Sequence, residues 1–319
     1  MASAATHLGL REATLEGLQR TPKELPTVWL YDERGSQLYE EITRLPEYYP
    51  PRREREILRA RSPEVAARTQ ARTLVELGAG NASRTRLLLD ALAPTLERFV
   101  PLDVSEQFLR STAEAVAAEY PRLAVDPFVG DFERDLHSLP AGSPRLIALL
   151  GSTIGNFYPA QRRRFLSAVA GALEDDDAFL VGLDLVKDVE RLAAAYNDGR
   201  GVTEAFVRNA LTAVNAELHA TFDQRRFVYT AHWDPEHEWM DIGFRARHAH
   251  GVSVRALDLE LAFAENEQLR VEVSSKFRRE RFELEARDAG LGVDGWWTDE
   301  AGDFALALMT RNERRSACP

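Results

Sequence analysis

Only one residue in 319 is a cysteine, Cys318. The chain therefore forms no internal disulfide and no cysteine-based metal cluster, and a reducing, cytoplasmic setting is the expectation. Positive charge is also scarce, with 40 Lys and Arg against 51 Asp and Glu and a formal net charge of -11. Phosphate recognition runs on Lys and Arg, so nucleic acid and anionic membrane surfaces are disfavoured as partners and a small molecule is expected instead. No window approaches the roughly 20 apolar residues of a membrane span. The opening "MASAATHLGLREATLEGLQR" has no basic flank ahead of an apolar core, so it does not read as a signal peptide. Repeats and low-complexity tracts are missing as well. What is there, 45% apolar and 29% charged residues, is the profile of a globular chain of one large domain or two ordinary ones.

From residue 72 the chain alternates short β-rich runs with stretches of helical length, the pattern of a parallel sheet with crossover helices. The runs are "RTLVEL", "RFVPLD", "LAVDPFVG", "RLIALLG" and "AFLVGLDL", so five strands are predicted. After the fourth, Pro159 suits a first helical position, and Phe165, Leu166, Val169 and Leu173 recur at helical spacing. Past Leu185 the rhythm changes. Val189, Leu192, Ala193 and Tyr196 make one helical face, "NDGRG" interrupts, and Phe206, Val207, Ala210, Leu211 and Val214 make another. Strands are predicted around Phe227 to Tyr229, Met240 to Ala246 and Leu269 to Ser274. A long helix, "SKFRRERFELEARDAG", should end at Gly290, and two last strands lie near "GVDGWW" and "FALALMTR". The organisation expected is residues 66–186 plus 275–319 as the sheet domain, 187–274 as an inserted substrate domain, and 1–65 as a helical segment joining the substrate lid.

The turn "VELGAGNASRTR", Val75 to Arg86, carries the first chemical signal. Glycines after a first strand let backbone approach a nucleotide, and the helix behind offers free N–H groups. A dinucleotide fingerprint needs a third glycine, yet Gly78 and Gly80 are followed by Ser83. Glu76, two residues ahead of Gly78, is what S-adenosylmethionine-dependent methyltransferases carry there. Asp103 closes "VPLDVS", where a carboxylate can accept both ribose hydroxyls. "VGDF" supplies Asp131 for an exocyclic amine and Phe132 as an apolar face for an adenine. Asp at either place also caps a following helix, and each residue alone leaves both readings open; together with Glu76, Gly78 and Gly80 they favour the cofactor. The expected fold is α/β, a class I methyltransferase Rossmann-like doubly wound sheet with a second, smaller α+β substrate domain.

Four stretches, "YDERGSQLYEEITRLPEYYPPRRE", "VELGAGNASRTRLLLDAL", "GSTIGNF" and "VEVSSKFRR", make the chain resemble the histidine Nα-methyltransferases of ergothioneine biosynthesis, in the same order and at compatible spacing. The resemblance implies S-adenosylmethionine as methyl donor, no metal, and L-histidine as substrate, trimethylated at its α-amine. It assigns the cofactor to Gly78, Arg84, Asp103, Asp131 and Phe132, and the amino acid to Tyr31, Tyr48, Gly151, Asn156, Tyr196, Glu272, Val273 and Ser274. Within that set Tyr48 and Asn156 are the catalytic candidates, Asn156 and Tyr196 face amine and carboxylate, and Glu272 and Ser274 take the imidazole, with Tyr31 a further ring contact. Two positions depart from the family: it carries a lysine where Arg84 stands, and a methionine near Ile242, which bears on strict histidine preference.

The residues themselves support part of this. Strand alternation puts Glu272 and Ser274 on one face, opposite Val271 and Val273, although the wet face of an amphipathic strand would read the same way. Tyr196 lies on an apolar helical stripe that packing alone would explain. Tyr48 and Tyr49, among Pro46, Pro50 and Pro51, belong to an extended segment. Asn156 follows the fourth strand, where ligands gather, though it is also a common turn former. "RHAH", with His248 and His250, has no acidic or cysteine partner at ligand spacing, so solvated histidines are expected. Rival readings are a nicotinamide oxidoreductase, an N-methyltransferase of another aromatic amino acid or small amine, and a degenerate fold that binds without turnover. A monomer is expected.

Overall fold

The computed structural model describes residues 4–142 and 144–312, and Cys318 lies outside them. The described residues divide into two compact units, residues 50–186 with 277–312, and residues 4–49 with 187–276.

The first unit is built on one sheet. Its strands are β1 (Thr73–Leu77), β2 (Arg98–Asp103), β3 in two pieces (Ala124–Val125 and Phe128–Val129), β4 (Arg145–Leu149), β5 (Ala178–Asp184), β6 (Leu291–Thr298) and β7 (Phe304–Arg311). Their spatial order is β6-β7-β5-β4-β1-β2-β3. β1 to β5 are parallel, and β7 runs antiparallel to both β5 and β6. This is the class I methyltransferase order, with the chain reversing across β1 and β4 where ligands of open α/β sheets collect.

Both faces of the sheet are covered, which is why its strands read as continuous apolar runs instead of alternating ones. Val75, Val100, Ile147, Phe179 and Ala307 pack into one core, while their neighbours Leu74, Phe99, Leu146, Leu180 and Leu306 pack into the other. Phe99 and Phe179, fully buried on opposite faces, each stabilise the fold by about 2 kcal/mol through burial. The run predicted as a single third strand is split between Val125 and Phe128, because Pro127 has no N–H for the ladder.

The helix Pro159–Ala172 starts as its sequence implies, with Pro159 in the first turn and the Tyr158 amide donating to Gln161 Oε1 at 3.0 Å. The helix before β6 is shorter than predicted, Arg279–Asp288. Ser275 ends a strand and residues 276–278 are extended, since Phe277 exchanges backbone hydrogen bonds with Asp184 and Val186 alongside β5. At its other end Gly290 takes φ +92, as a helix-terminating glycine does. Helix Pro50–Thr69 also belongs to this unit, so residues 50–65 lie with the sheet and not with the lid segment to which they were assigned.

The second unit has its own core of Trp29, Leu38, Leu192, Phe206, Leu211, Phe227 and Phe244. Its four-stranded sheet runs Lys23–Glu24, Gln268–Ser275, Trp239–Ala246 and Phe227–Asp234 in that spatial order. A hairpin of His250–Val254 and Leu259–Phe263 was not foreseen. Asp188 caps helix Val189–Tyr196 through the Arg191 amide at 3.0 Å. At "NDGRG" Asp198 accepts from the amides of Val202 (3.1 Å) and Thr203 (2.8 Å), which starts helix Val202–Leu218. His250 is not simply solvated: its ring stacks on Phe263 at 5.4 Å.

Candidate active site

In the sheet unit the glycine turn, Asp103 and Phe132 come together. Gly78 and Gly80 hold φ of +69 and +52, left-handed values that suit glycine. The amides of Gly78 and Ala79 both donate to Leu102 O, at 2.8 and 3.0 Å, which presses the turn against the end of β2. Asp103 Oδ2 accepts from the Gly80 amide at 3.3 Å and Oδ1 from Ser105 at 3.0 Å. Asp103 is thus both a local cap and a wall of the turn, and burial raises its pKa. A methyl group placed on Gly78 would lie 3.6 Å from the Phe132 ring. Phe132 is held from behind by Phe157 and Phe165, with ring centroids 6.3 and 6.0 Å away. Asp131 Oδ1 accepts from the Glu133 amide at 2.9 Å, the capping role that its sequence position allows.

These residues fit S-adenosylmethionine. Asp103 can take ribose hydroxyls and Phe132 an adenine face, and space at Gly80 is open. Glu76 adds an orphan: it is buried, receives the Thr85 hydroxyl on Oε1, and leaves Oε2 without a hydrogen-bond partner among the described residues. Burial pushes its carboxyl up to about 8.

Arg84 has a partner that the sequence did not suggest. Its Nε lies 3.1 Å from Oε2 of Glu54, which is fully buried, while Glu54 Oε1 accepts from the Gly151 amide at 2.7 Å. Gly182 in β5 gives this carboxylate room, since a methyl group there would collide with Glu54 Oε1. Gly151 and Ser152 both take left-handed φ, +80 and +58. For serine that conformation carries strain, held here by Ser152 Oγ accepting from the Asp184 amide at 2.9 Å. The loop leads into a single 3-10 turn, Thr153–Asn156, that carries Asn156.

The second unit gathers most residues assigned to the amino acid. Tyr196 Oη and Ser274 Oγ lie 2.8 Å apart. Tyr48 meets Tyr196 edge-on at 6.2 Å, and Tyr39 meets Tyr48 at 6.4 Å. Tyr31, which is 40% exposed, packs edge-on against Tyr39 at 5.8 Å and Phe206 at 5.5 Å. Glu272 and Ser274 pair across the sheet with Ile242 and Met240, whose side chains belong to the unit's core. They therefore sit on the core face and not on a wet one. The strand manages this by a bulge between Arg270 and Glu272, which changes which residues face inward. Val273 pairs with Asp241 on the opposite face, where Arg270 and Asp241 form a salt bridge of 2.5 Å. The side chain of Val273 thus points away from Glu272 and Ser274.

Electrostatics sort these groups. Burial pushes Glu272 up to about 7, opposed by the Lys276 ammonium, and no hydrogen bond from the described residues offsets the desolvation. Tyr48 is raised well above the ordinary phenol value by burial, reinforced by Tyr39, Tyr196, Tyr31 and Glu272. It therefore stays protonated, which leaves its O–H able to donate.

Sequence reasoning missed Glu54, Tyr39 and Lys276. Glu54 sits in "PPRRERE", which reads as a solvated charge run, yet it lies at helical spacing from buried Ile57, Leu58 and Val65. Lys276 follows Glu272 and Ser274 at period two, a signal hidden by reading a helix from Ser275 onward.

The sheet order and the glycine turn with Asp103 and Phe132 define a class I S-adenosylmethionine-dependent methyltransferase. Among the described residues no group of three His, Cys, Asp or Glu side chains is placed to hold a metal ion, and no helix is long and apolar enough to cross a membrane. The family model described as histidine-specific methyltransferase, SAM-dependent, matches residues 10–311, and the chain belongs to that family. It is 50% identical over 304 residues to the histidine N-alpha-methyltransferase of Mycolicibacterium smegmatis, covering 95% of each chain. The protein of the same name from Mycobacterium tuberculosis is 49% identical over 309 residues, covering 96% of each. Ergothioneine biosynthesis protein 1 of Neurospora crassa is 30% identical over 312 residues, which are 91% of this chain and 33% of that protein.

Proposed function

We infer that the protein methylates the α-amino group of L-histidine with S-adenosylmethionine, as far as the trimethylated betaine (hercynine), in ergothioneine biosynthesis. The observation that carries the histidine assignment is the inward placement of Glu272 and Ser274. A carboxylate and a hydroxyl on one buried strand face, with Tyr196 beside the serine at 2.8 Å, match the two nitrogens of an imidazole, one giving a proton and one accepting.

S-adenosylmethionine supplies an electrophilic methyl on its sulfonium. The chain's own residues do the rest. Gly78, Asp103, Asp131 and Phe132 bind and orient the donor, and Arg84 fixes the turn through Glu54. Tyr48, with its phenol held protonated, Asn156 and Tyr196 orient amine and carboxylate. Gly151 and Tyr31 complete the assignment, and Val273 contributes backbone only. Direct displacement needs no covalent enzyme intermediate, so orientation and water exclusion are the main catalytic contributions. As the nitrogen becomes permanently cationic, the Tyr39, Tyr48 and Tyr196 rings offer cation-π stabilisation worth about 0.5–2 kcal/mol. We further propose a cytoplasmic monomer.

A second reading has one observation behind it. Ile242 faces Glu272 across the strands and is buried, so a different wall beside the ring would favour another aromatic amino acid. Incubation with S-adenosylmethionine and a panel of histidine, its mono- and dimethyl forms, tryptophan and tyrosine, read by product mass, decides. Gains of up to three methyl groups on histidine are expected. Methylation of another panel member alone would replace the histidine assignment.

A further inference from the structure

Lys276 is buried, with 4% of its surface exposed. Its Nζ donates to Tyr196 Oη at 2.8 Å and to Ser274 Oγ at 2.7 Å, and lies 4.8 Å from the Tyr196 ring centroid. An ammonium has three donors and no acceptor, so both hydroxyl oxygens spend lone pairs on it. The same two oxygens are 2.8 Å from each other. Either oxygen can be the donor of that contact, so one O–H of the pair closes it.

With Tyr196 as the inner donor, Ser274 accepts twice and has its proton to give. On the same strand face stands Glu272, a carboxylate that Lys276 favours in its charged form. Around it stand the phenols of Tyr31, Tyr39, Tyr48, Tyr196 and Tyr229, and the carboxylates of Glu204 and Asp198 act on Tyr229. Tyr229 pins the end of helix Val189–Tyr196 by donating to Tyr196 O, which holds the phenol of Tyr196 in place.

We propose that Lys276 is a positioning residue for the acceptor's ring: by donating to both oxygens, with Tyr196 closing the contact between them, it leaves the serine O–H for an unprotonated ring nitrogen, on the strand face where Glu272 accepts the ring N–H. Lys276 thereby selects a single imidazole tautomer without touching the ring. This rests on the histidine reading above and adds to it a residue and a proton order.

The test is calorimetric titration of histidine into protein saturated with S-adenosylhomocysteine, for wild type, Lys276→Met, Ser274→Ala and the double variant. Lys276→Met should weaken histidine about 10- to 100-fold, the range for hydrogen bonds to charged groups, with S-adenosylhomocysteine affinity changed less than about twofold. Because the lysine acts through the serine, the same change made in Ser274→Ala should cost less than about a third as much. Equal penalties in both backgrounds, or parallel loss of both ligands, would show a merely structural lysine and overturn the proposal. Should Lys276→Met not fold, Lys276→Gln keeps a donor and drops the charge. It should weaken histidine several-fold, and wild-type affinity would equally overturn the proposal. A wild type that binds S-adenosylhomocysteine but not histidine would sink the functional reading instead.

Discussion

Glu54 and Arg84 form an ion pair of 3.1 Å in which the carboxylate is fully buried and its second oxygen holds the Gly151 amide at 2.7 Å. A residue from the helix after "YYPP" thus ties the cofactor turn to the loop after β4. Burial raises the pKa of Glu54 and Arg84 counters it, so the pair depends on mutual charge. Replacement by a neutral isostere, Glu54→Gln, keeps an acceptor for Gly151 but removes the charge that faces the Arg84 guanidinium. A loss of about 1.5–3 kcal/mol is expected, seen as a Tm lower by several degrees together with weaker S-adenosylmethionine binding. An unchanged Tm would show the pair to be dispensable.

Asp103→Ala should weaken S-adenosylhomocysteine by about 10- to 100-fold in calorimetry, because two ribose hydroxyls lose a charged acceptor and the Gly80 amide loses its own. Asp103→Asn, which keeps the shape, should lose less. If alanine binds as wild type does, the ribose is held elsewhere.

The ligand-free protein should lose stability as pH rises through the neutral range. Glu76 ionises near pH 4.5 when unfolded and at about 8 when folded. The folded state then retains a proton that the unfolded state has released, so stability falls with rising pH across that window and levels off above it. Glu272, raised to about 7, acts in the same direction. Melting curves from pH 5 to 9 should show this slope, and Glu76→Gln should flatten it. A slope identical in the variant would remove Glu76 as a cause.

Tyr48→Phe should lower kcat with little change in the shape of the pH profile. Its phenol is pushed well above the usual range, so no basic limb below about pH 10 belongs to it. Loss of a basic limb in the phenylalanine variant would instead mark Tyr48 as the group that ionises.

Glu272→Ala should weaken histidine far more than S-adenosylhomocysteine, since Glu272 lies in the second unit and the cofactor residues in the first. Comparable loss of both ligands in titrations would count against the ring assignment.

Much of the architecture was legible because its signals are local. The five parallel strands are apolar runs cut by glycines and prolines, Pro159 opens a helix, Gly290 ends one, and Gly78 and Gly80 mark a turn that few other residues tolerate. These features follow from backbone propensity and periodicity, which neighbouring residues alone dictate. The direction in which Glu272 and Ser274 point was undetermined at that level, because alternation names two faces without saying which is buried. Cross-strand pairing with Ile242 and Met240, offset by the bulge at Arg270 and Glu272, decided it. Glu54 and Lys276 belong with them: a charge in a polar run looks solvated until distant chain closes over it, and Gly151 and Tyr196, 97 and 80 residues away, are what close over these two. Local sequence set the elements and the cofactor turn; which charges are buried, and against what, depended on contacts that form only when the chain has folded.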